Sequence, residues 1–138
     1  MMKKIVFFFA IAAMTLCGTD AFAQPGKMKV TTVGGPMLTP DKIEHNYGTI
    51  KKASDGNCVF TMYNTGDQPL IISNCQGSCG CTTPQCEKTP IASGGFTEIK
   101  VHYDTMRLGP FTKTVTVMWN GPEGNKSQVL TIKGEVIE

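Results

Sequence analysis

Wherever apolar residues gather in this chain they recur at every second position, a period that suits strands with one buried face and excludes amphipathic helices. Residues 111–119 show it best: Phe111, Val115, Val117 and Trp119 oppose Thr112, Thr114 and Thr116, and Lys113 is the one polar residue on the apolar side. Cys58, Phe60 and Met62 alternate with Val59, Thr61 and Tyr63, and Ile99, Val101 and Tyr103 alternate with Glu98, Lys100 and His102. Ile43, His45 and Tyr47 share a face against Glu44 and Asn46, Leu70, Ile71 and Ile72 form a short apolar run, and Leu130, Ile132 and Val136 mark a last strand. Turn-forming residues separate these runs at 64–67, 90–95 and 120–125. The pattern predicts an all-β domain over residues 41–138, an Ig-like β-sandwich of about seven antiparallel strands. An antibody-type domain needs a cysteine pair between sheets around a tryptophan. Cys58 has no cysteine on the late strands to pair with, so the likeness is one of architecture.

The first 23 residues read as an export signal. Lys3 and Lys4 precede an apolar run over 5–16 that is too short to span a bilayer, and Ala21 and Ala23 are small residues placed for cleavage after Ala23. The lipid-anchored alternative through Cys17 is disfavoured because Leu16 is not small. Removing residues 1–23 from the 138 leaves 115, enough for one domain and one core. It also removes Lys3, Lys4 and Asp20, so the 13 basic and 11 acidic residues fall to 11 and 10. Near-neutral charge without like-charge runs provides no nucleic-acid footprint, and no later segment is apolar enough to cross a membrane as a helix. Residues 24–40, with three prolines and three glycines, read as a tether holding at most a short strand at 28–33. The expected location is the periplasm or the extracellular space.

Four of the six cysteines fall between residues 74 and 86, in one turn-rich segment. Cys58, on an apolar strand face, reads as a small buried hydrophobe. Cys75, Cys79, Cys81 and Cys86 remain as an even set with three possible pairings. Disulfides come first because the expected compartment is oxidising. A Cys75–Cys86 bridge closes about a dozen residues and contributes roughly 3 kcal/mol on the chain-entropy argument. Cys79 and Cys81 are two apart, and in extended chain a direct bond lies at or beyond the edge of favourable Cα separation. Soft-metal binding is the second chemistry, with Cys79 and Cys81 as copper(I) or zinc ligands. Thiol–disulfide exchange is the third, although Cys-x-Cys lacks the helix N-terminus that activates Cys-x-x-Cys thiols. His102 sits on a polar face, His45 reads as a core-edge aromatic, and Met62 and Met118 read as packing residues. Phosphate loops, nucleophile elbows and helical histidine pairs are missing from the sequence, and Asp41, Asp55, Asp67 and Asp104 fall in turns or at strand ends. No cofactor and no enzymatic activity are expected.

At Ser78-Cys79-Gly80-Cys81-Thr82-Thr83-Pro84 the chain resembles an uncharacterised family of small exported proteins of Bacteroidetes-type bacteria, the domain of unknown function numbered fifteen seventy-three. The likeness runs from about Ile43 to Val136. It takes in Tyr47-Gly48-Thr49-Ile50, Asn64-Thr65-Gly66-Asp67, Pro69-Leu70, Pro90-Ile91, Gly109-Pro110-Phe111 and Ile132-Lys133-Gly134. It implies an Ig-like sandwich similar to modules that bind other proteins, and it supplies no activity. Cys75 and Cys86 are additional to the family's Cys79–Cys81 pair, and His45 stands where the family usually carries phenylalanine. The reading is a non-enzymatic binding or assembly module with an unidentified protein or cell-envelope partner. Its contact surface is the segment carrying Asn74, Cys75, Ser78, Cys79, Gly80, Cys81, Thr82, Thr83, Pro84 and Cys86.

Overall fold

The period-two runs become two facing sheets. A computed structural model describes residues 34–138; the expected export signal, Cys17, the short strand expected at 28–33 and the expected tether up to residue 33 lie outside the described residues. Eight strands follow: β1 (Leu38–Pro40), β2 (Glu44–Lys51), β3 (Asn57–Asn64), β4 (Ile72–Gly77), β5 (Thr82–Gln85), β6 (Phe96–Tyr103), β7 (Gly109–Gly121) and β8 (Gly124–Ile137). One sheet has the order β1-β3-β6-β5 and the other β2-β8-β7-β4. Among the described residues there is no helix long and apolar enough to cross a membrane.

The inward sets are those the alternation picks out, except that Ile43, expected on one face with His45 and Tyr47, precedes β2 and is 60% exposed. Phe60 and Met62 of β3, Ile99 and Val101 of β6, Val115 and Val117 of β7, and Leu130 and Ile132 of β8 are all buried. Each such side chain removed from water stabilises the fold by about 1.5–3 kcal/mol. Tyr103 stacks on Phe111 with ring centroids 3.7 Å apart, so an aromatic pair joins the two sheets. Met118 is a correction: with Val117 and Trp119 turned inward, it points out and is 41% exposed. The strand Leu38–Pro40 falls in the stretch read as tether; it pairs with β3, and Leu38 is buried.

One pairing departs from the expected antiparallel arrangement. β2 runs parallel to β8, from Glu44↔Thr131 to Lys51↔Ile137, with an irregularity between Asn46 and Thr49. Alternation reports which face is buried and is silent on strand direction, so this could not be read from the pattern. The irregularity has a local cause. Gly48 has φ +66°, and its N–H donates to Asn46 Oδ1 at 2.8 Å, which re-aims Tyr47 so that its hydroxyl donates to Gly56 O at 2.8 Å.

The turns segregate to the two ends of the sandwich. At one end Asn64 is fully buried and satisfied: its Nδ2 donates to Gln68 O and Ile91 O, and its Oδ1 accepts from Met37 N and Gly66 N. At the other end lie residues 52–56, 78–81 and 104–108. They are held together by hydrogen bonds from Ala53 N to Thr105 O, Thr105 Oγ1 to Ser54 O and Asp104 N to Cys81 O.

Candidate functional site

The cysteine segment is less of a loop than its composition suggests. Residues 74–77 belong to β4 and 82–85 to β5, so the turn itself spans only 78–81. Glycine, asparagine and proline are poor strand formers, but pairing of β4 with β7 and β5 with β6 overrides that preference. Because β4 is an edge of one sheet and β5 an edge of the other, the chain turns a corner here from sheet to sheet. Gly77 is required where the strands cross, since a Cβ there would strike the Thr82 carbonyl, whereas Gly80 faces open space. Ser78 N donates to Thr114 O at 2.8 Å, and Thr114 N donates back to Ser78 Oγ at 3.1 Å. Thr82 N donates to Cys79 O at 3.2 Å, closing the turn, and Asp104 N donates to Cys81 O at 2.9 Å.

Of the three possible pairings the structure adopts Cys75–Cys86 and Cys79–Cys81. The first joins β4 to the residue just past β5, and so ties one sheet's edge to the other's. Its Cα atoms are 6.3 Å apart. The expectation for Cys79–Cys81 is corrected. The Cα separation is 5.2 Å, inside the favourable 4.4–6.8 Å range, because the chain turns at Gly80 instead of extending. The chain-entropy argument assigns about 3 kcal/mol to the twelve-residue loop and roughly half of that to the three-residue one. The hydroxyl of Thr82 lies 3.8 Å from Cys79 Sγ and 3.9 Å from Cys81 Sγ.

The ten candidate residues divide by exposure. Asn74, Ser78, Gly80 and Thr83 are exposed, Cys75, Cys79, Pro84 and Cys86 are half-buried, and Cys81 and Thr82 are inside, at 4% and 3% exposure. Two shallow grooves flank the corner. One, about 360 Å³, is lined by Gln76, Ser78, Thr114, Thr116 and Met118; the other, about 310 Å³, by Asn57, Val59, Thr83, Gln85, Lys100 and His102. The sequence reading missed Thr114, Asn57 and Asp104, which come from strands and turns remote in the chain and carry no local signal.

The remaining singled-out side chains lie apart from the corner or bind nothing together. Cys58 is the free cysteine of the described residues, buried on the inward face of β3. Burial pushes its thiol up, against smaller opposing effects of the Tyr47 hydroxyl and the Lys42 charge, and burial likewise drives the Tyr47 phenol well above its ordinary value. Both stay neutral and unreactive near neutral pH. His45 is half-buried, edge-on to Tyr47 at 4.6 Å and to Phe60 at 6.5 Å. His102 is exposed, with Nδ1 3.0 Å from Asn57 Oδ1. Cys79 and Cys81 are bonded to each other, and among the described residues no three His, Cys, Asp or Glu side chains converge as a metal site.

A family profile described as protein of unknown function, DUF1573, matches residues 38–136. No curated protein matches the sequence. Three solved structures are similar in fold. The ASH/PapD-like domain 7 of human CEP192 superposes with a TM-score of 0.63 at 9% identity, covering 73% of this chain and 85% of that one. A protein of unknown function from Porphyromonas gingivalis W83 gives 0.66 at 15% identity, covering 78% of this chain and 50% of that one. The YadV chaperone gives 0.56 at 12% identity, covering 73% and 52%. The chain thus spans about half the length of the last two. At such identities these likenesses carry the fold, an Ig-like, PapD-like β-sandwich, and nothing finer.

Proposed function

The chain belongs to the DUF1573 family of proteins of unknown function, and from that premise we propose that it is an exported, non-enzymatic binding or assembly module whose contact surface is the double-disulfide corner. The observation that carries this reading is the rigidity of a surface segment. Residues 78–81 are pinned by two disulfides and by hydrogen bonds to Thr114 and Asp104, while Asn74, Ser78, Gly80 and Thr83 remain exposed. A surface held in one conformation before contact loses little entropy on binding. Functional loops at one end of a sandwich follow the same logic. The adjoining turn adds Met106 and Leu108, 58% and 49% exposed, which would supply apolar contact beside the uncharged corner. Disulfides fit an oxidising periplasmic or extracellular setting. A chaperone among the fold neighbours supports a protein as partner.

The test is site-specific photo-crosslinking in the producing cell. A crosslinking amino acid at Gly80 or Thr83 is expected to trap discrete protein adducts, and one at Glu123, in the hairpin turn at the opposite end, is not. Equal adduct patterns from both ends would reject the corner as the contact surface.

A further inference from the structure

We infer that Cys79–Cys81 is a thiol–disulfide exchange site that oxidises paired thiols, with Cys79 the sulfur attacked and Cys81 the sulfur released. This goes beyond the contact-surface reading and does not rest on it; as a stoichiometric exchange, one protein disulfide reduced for each pair of thiols oxidised, it stays within the non-enzymatic reading.

Three observations carry it. The first is that the bridge is not needed to hold its turn. Ser78 and Thr114 exchange two hydrogen bonds, Thr82 N closes the turn on Cys79 O, and Asp104 N holds Cys81 O. Cys75–Cys86, by contrast, joins the edges of two sheets. The second is the difference in access between the two sulfurs. Cys79 is half-buried against the rim of the core, whereas Cys81 is 4% exposed within it. Exchange requires an attacking thiolate to reach one sulfur in line with the bond to the other, so Cys79 is the one that can be reached. The third is Thr82. Its side chain is 3% exposed, and its hydroxyl lies 3.8 and 3.9 Å from the two sulfurs. A disulfide sulfur accepts only weakly, but a thiolate accepts strongly, so the same hydroxyl is placed to stabilise either sulfur once it carries charge.

The exchange balances without another reagent. A substrate thiolate attacks Cys79 Sγ; the new bond joins substrate sulfur to Cys79, the Cys79–Cys81 bond breaks, and its electron pair leaves on Cys81 Sγ, which takes up a proton. The second substrate thiol loses its proton and attacks the substrate sulfur of the mixed disulfide. Cys79 then leaves as a thiolate and is protonated in turn. Two substrate thiols are oxidised to a disulfide, and one protein disulfide is reduced to two thiols. The substrate class is a pair of thiols close enough to bond, on a polypeptide or on a small dithiol.

The test titrates the oxidised, folded protein with dithiothreitol, and separately with a reduced two-cysteine peptide. Free thiols are alkylated at intervals and located by mass spectrometry, and circular dichroism follows the fold. Cys79 and Cys81 are expected to be labelled at a lower reductant ratio than that which opens Cys75–Cys86, with the sheet signal intact. Thr82→Val is expected to slow their reduction about tenfold, the loss of one hydrogen bond to a charged sulfur, without moving the melting temperature by more than a few degrees. Cys81→Ser is expected to leave Cys79 able to form a stable mixed disulfide with oxidised glutathione. Opening of both bridges together, opening only on unfolding, or a Cys81→Ser protein that forms no adduct would each overturn the assignment. A wild-type reduction rate in Thr82→Val would remove Thr82 from it.

Discussion

Gly77 and Gly80 lie three residues apart in the same turn region and have opposite requirements. A methyl group on Gly77 meets the Thr82 carbonyl where β4 and β5 cross, whereas Gly80 has nothing within 4 Å of the position a Cβ would take. Gly77→Ala should therefore destabilise the protein by about 1–3 kcal/mol, the usual range for overpacking against an atom that cannot give way. Gly80→Ala should be neutral or stabilising by about 0.5 kcal/mol, because it restricts the unfolded chain. Urea midpoints decide between them, and equal shifts would contradict the crossing geometry. His45 gives the second prediction at this scale. Burial, with a smaller effect of the Lys42 charge, holds its pKa below the ordinary 6.5. The native state thus resists a proton that the unfolded state accepts. Stability is complete above pH 6.5 and is lost as pH falls from there toward the depressed native value. His45→Phe should abolish that slope and, by strengthening the contacts with Tyr47 and Phe60, stabilise the protein by up to about 1 kcal/mol. Melting temperatures of both proteins between pH 5 and 8 measure this; parallel curves would show that His45 is not the titrating group.

At the scale of elements, legibility followed the strength of local patterning. β3, β6, β7 and β8 alternate strictly, and the inward faces expected for them are the buried ones, with Met118 alone displaced. β4 and β5 were hidden because residues such as Gly77 and Pro84 signal turns, and only their partners β7 and β6 make them strands. The even cysteine set was readable, but which sulfurs pair depends on a sheet-to-sheet corner that no local rule contains. Pro84 illustrates the difference. Tyr103 N donates to Gly56 O, so Tyr103 turns its N–H toward β3. By alternation, Val101 does the same, and Pro84 opposite it sits at a non-bonded position facing the open edge of β5. A residue without an N–H at that place leaves the edge unable to recruit another strand there. Pro84→Thr restores an outward donor while returning freedom to the unfolded chain. It should lower stability by only about 0.4–1 kcal/mol and yet raise concentration-dependent self-association, read by light scattering. A variant that remains as monodisperse as its parent would count against the edge-blocking role.

For the whole molecule, the issue is how two four-stranded sheets stay face to face. Apolar packing supplies most of the force, through Phe60, Ile99, Val117 and Ile132 from both inner faces. The edge where β4 passes into β5 has a covalent restraint as well. Cys75–Cys86 spans it, and Gly77 packs against Thr82 beneath it. Opening this bridge frees two sheet edges from each other, and opening Cys79–Cys81 frees only a turn that hydrogen bonds already hold. The double variant Cys75→Ala with Cys86→Ala should therefore lose about 3 kcal/mol. For a domain of about a hundred residues that is a fall in melting temperature of roughly 12–20 °C. Cys79→Ala with Cys81→Ala should lose no more than about half as much. Replacing both partners of a pair avoids a stray thiol that could form the wrong bridge, so each comparison reads one link. The decisive quantity is the ratio of the two losses. Equal losses would mean that the turn, rather than the junction between sheets, governs stability at this edge, and the division of labour between the two disulfides would fail.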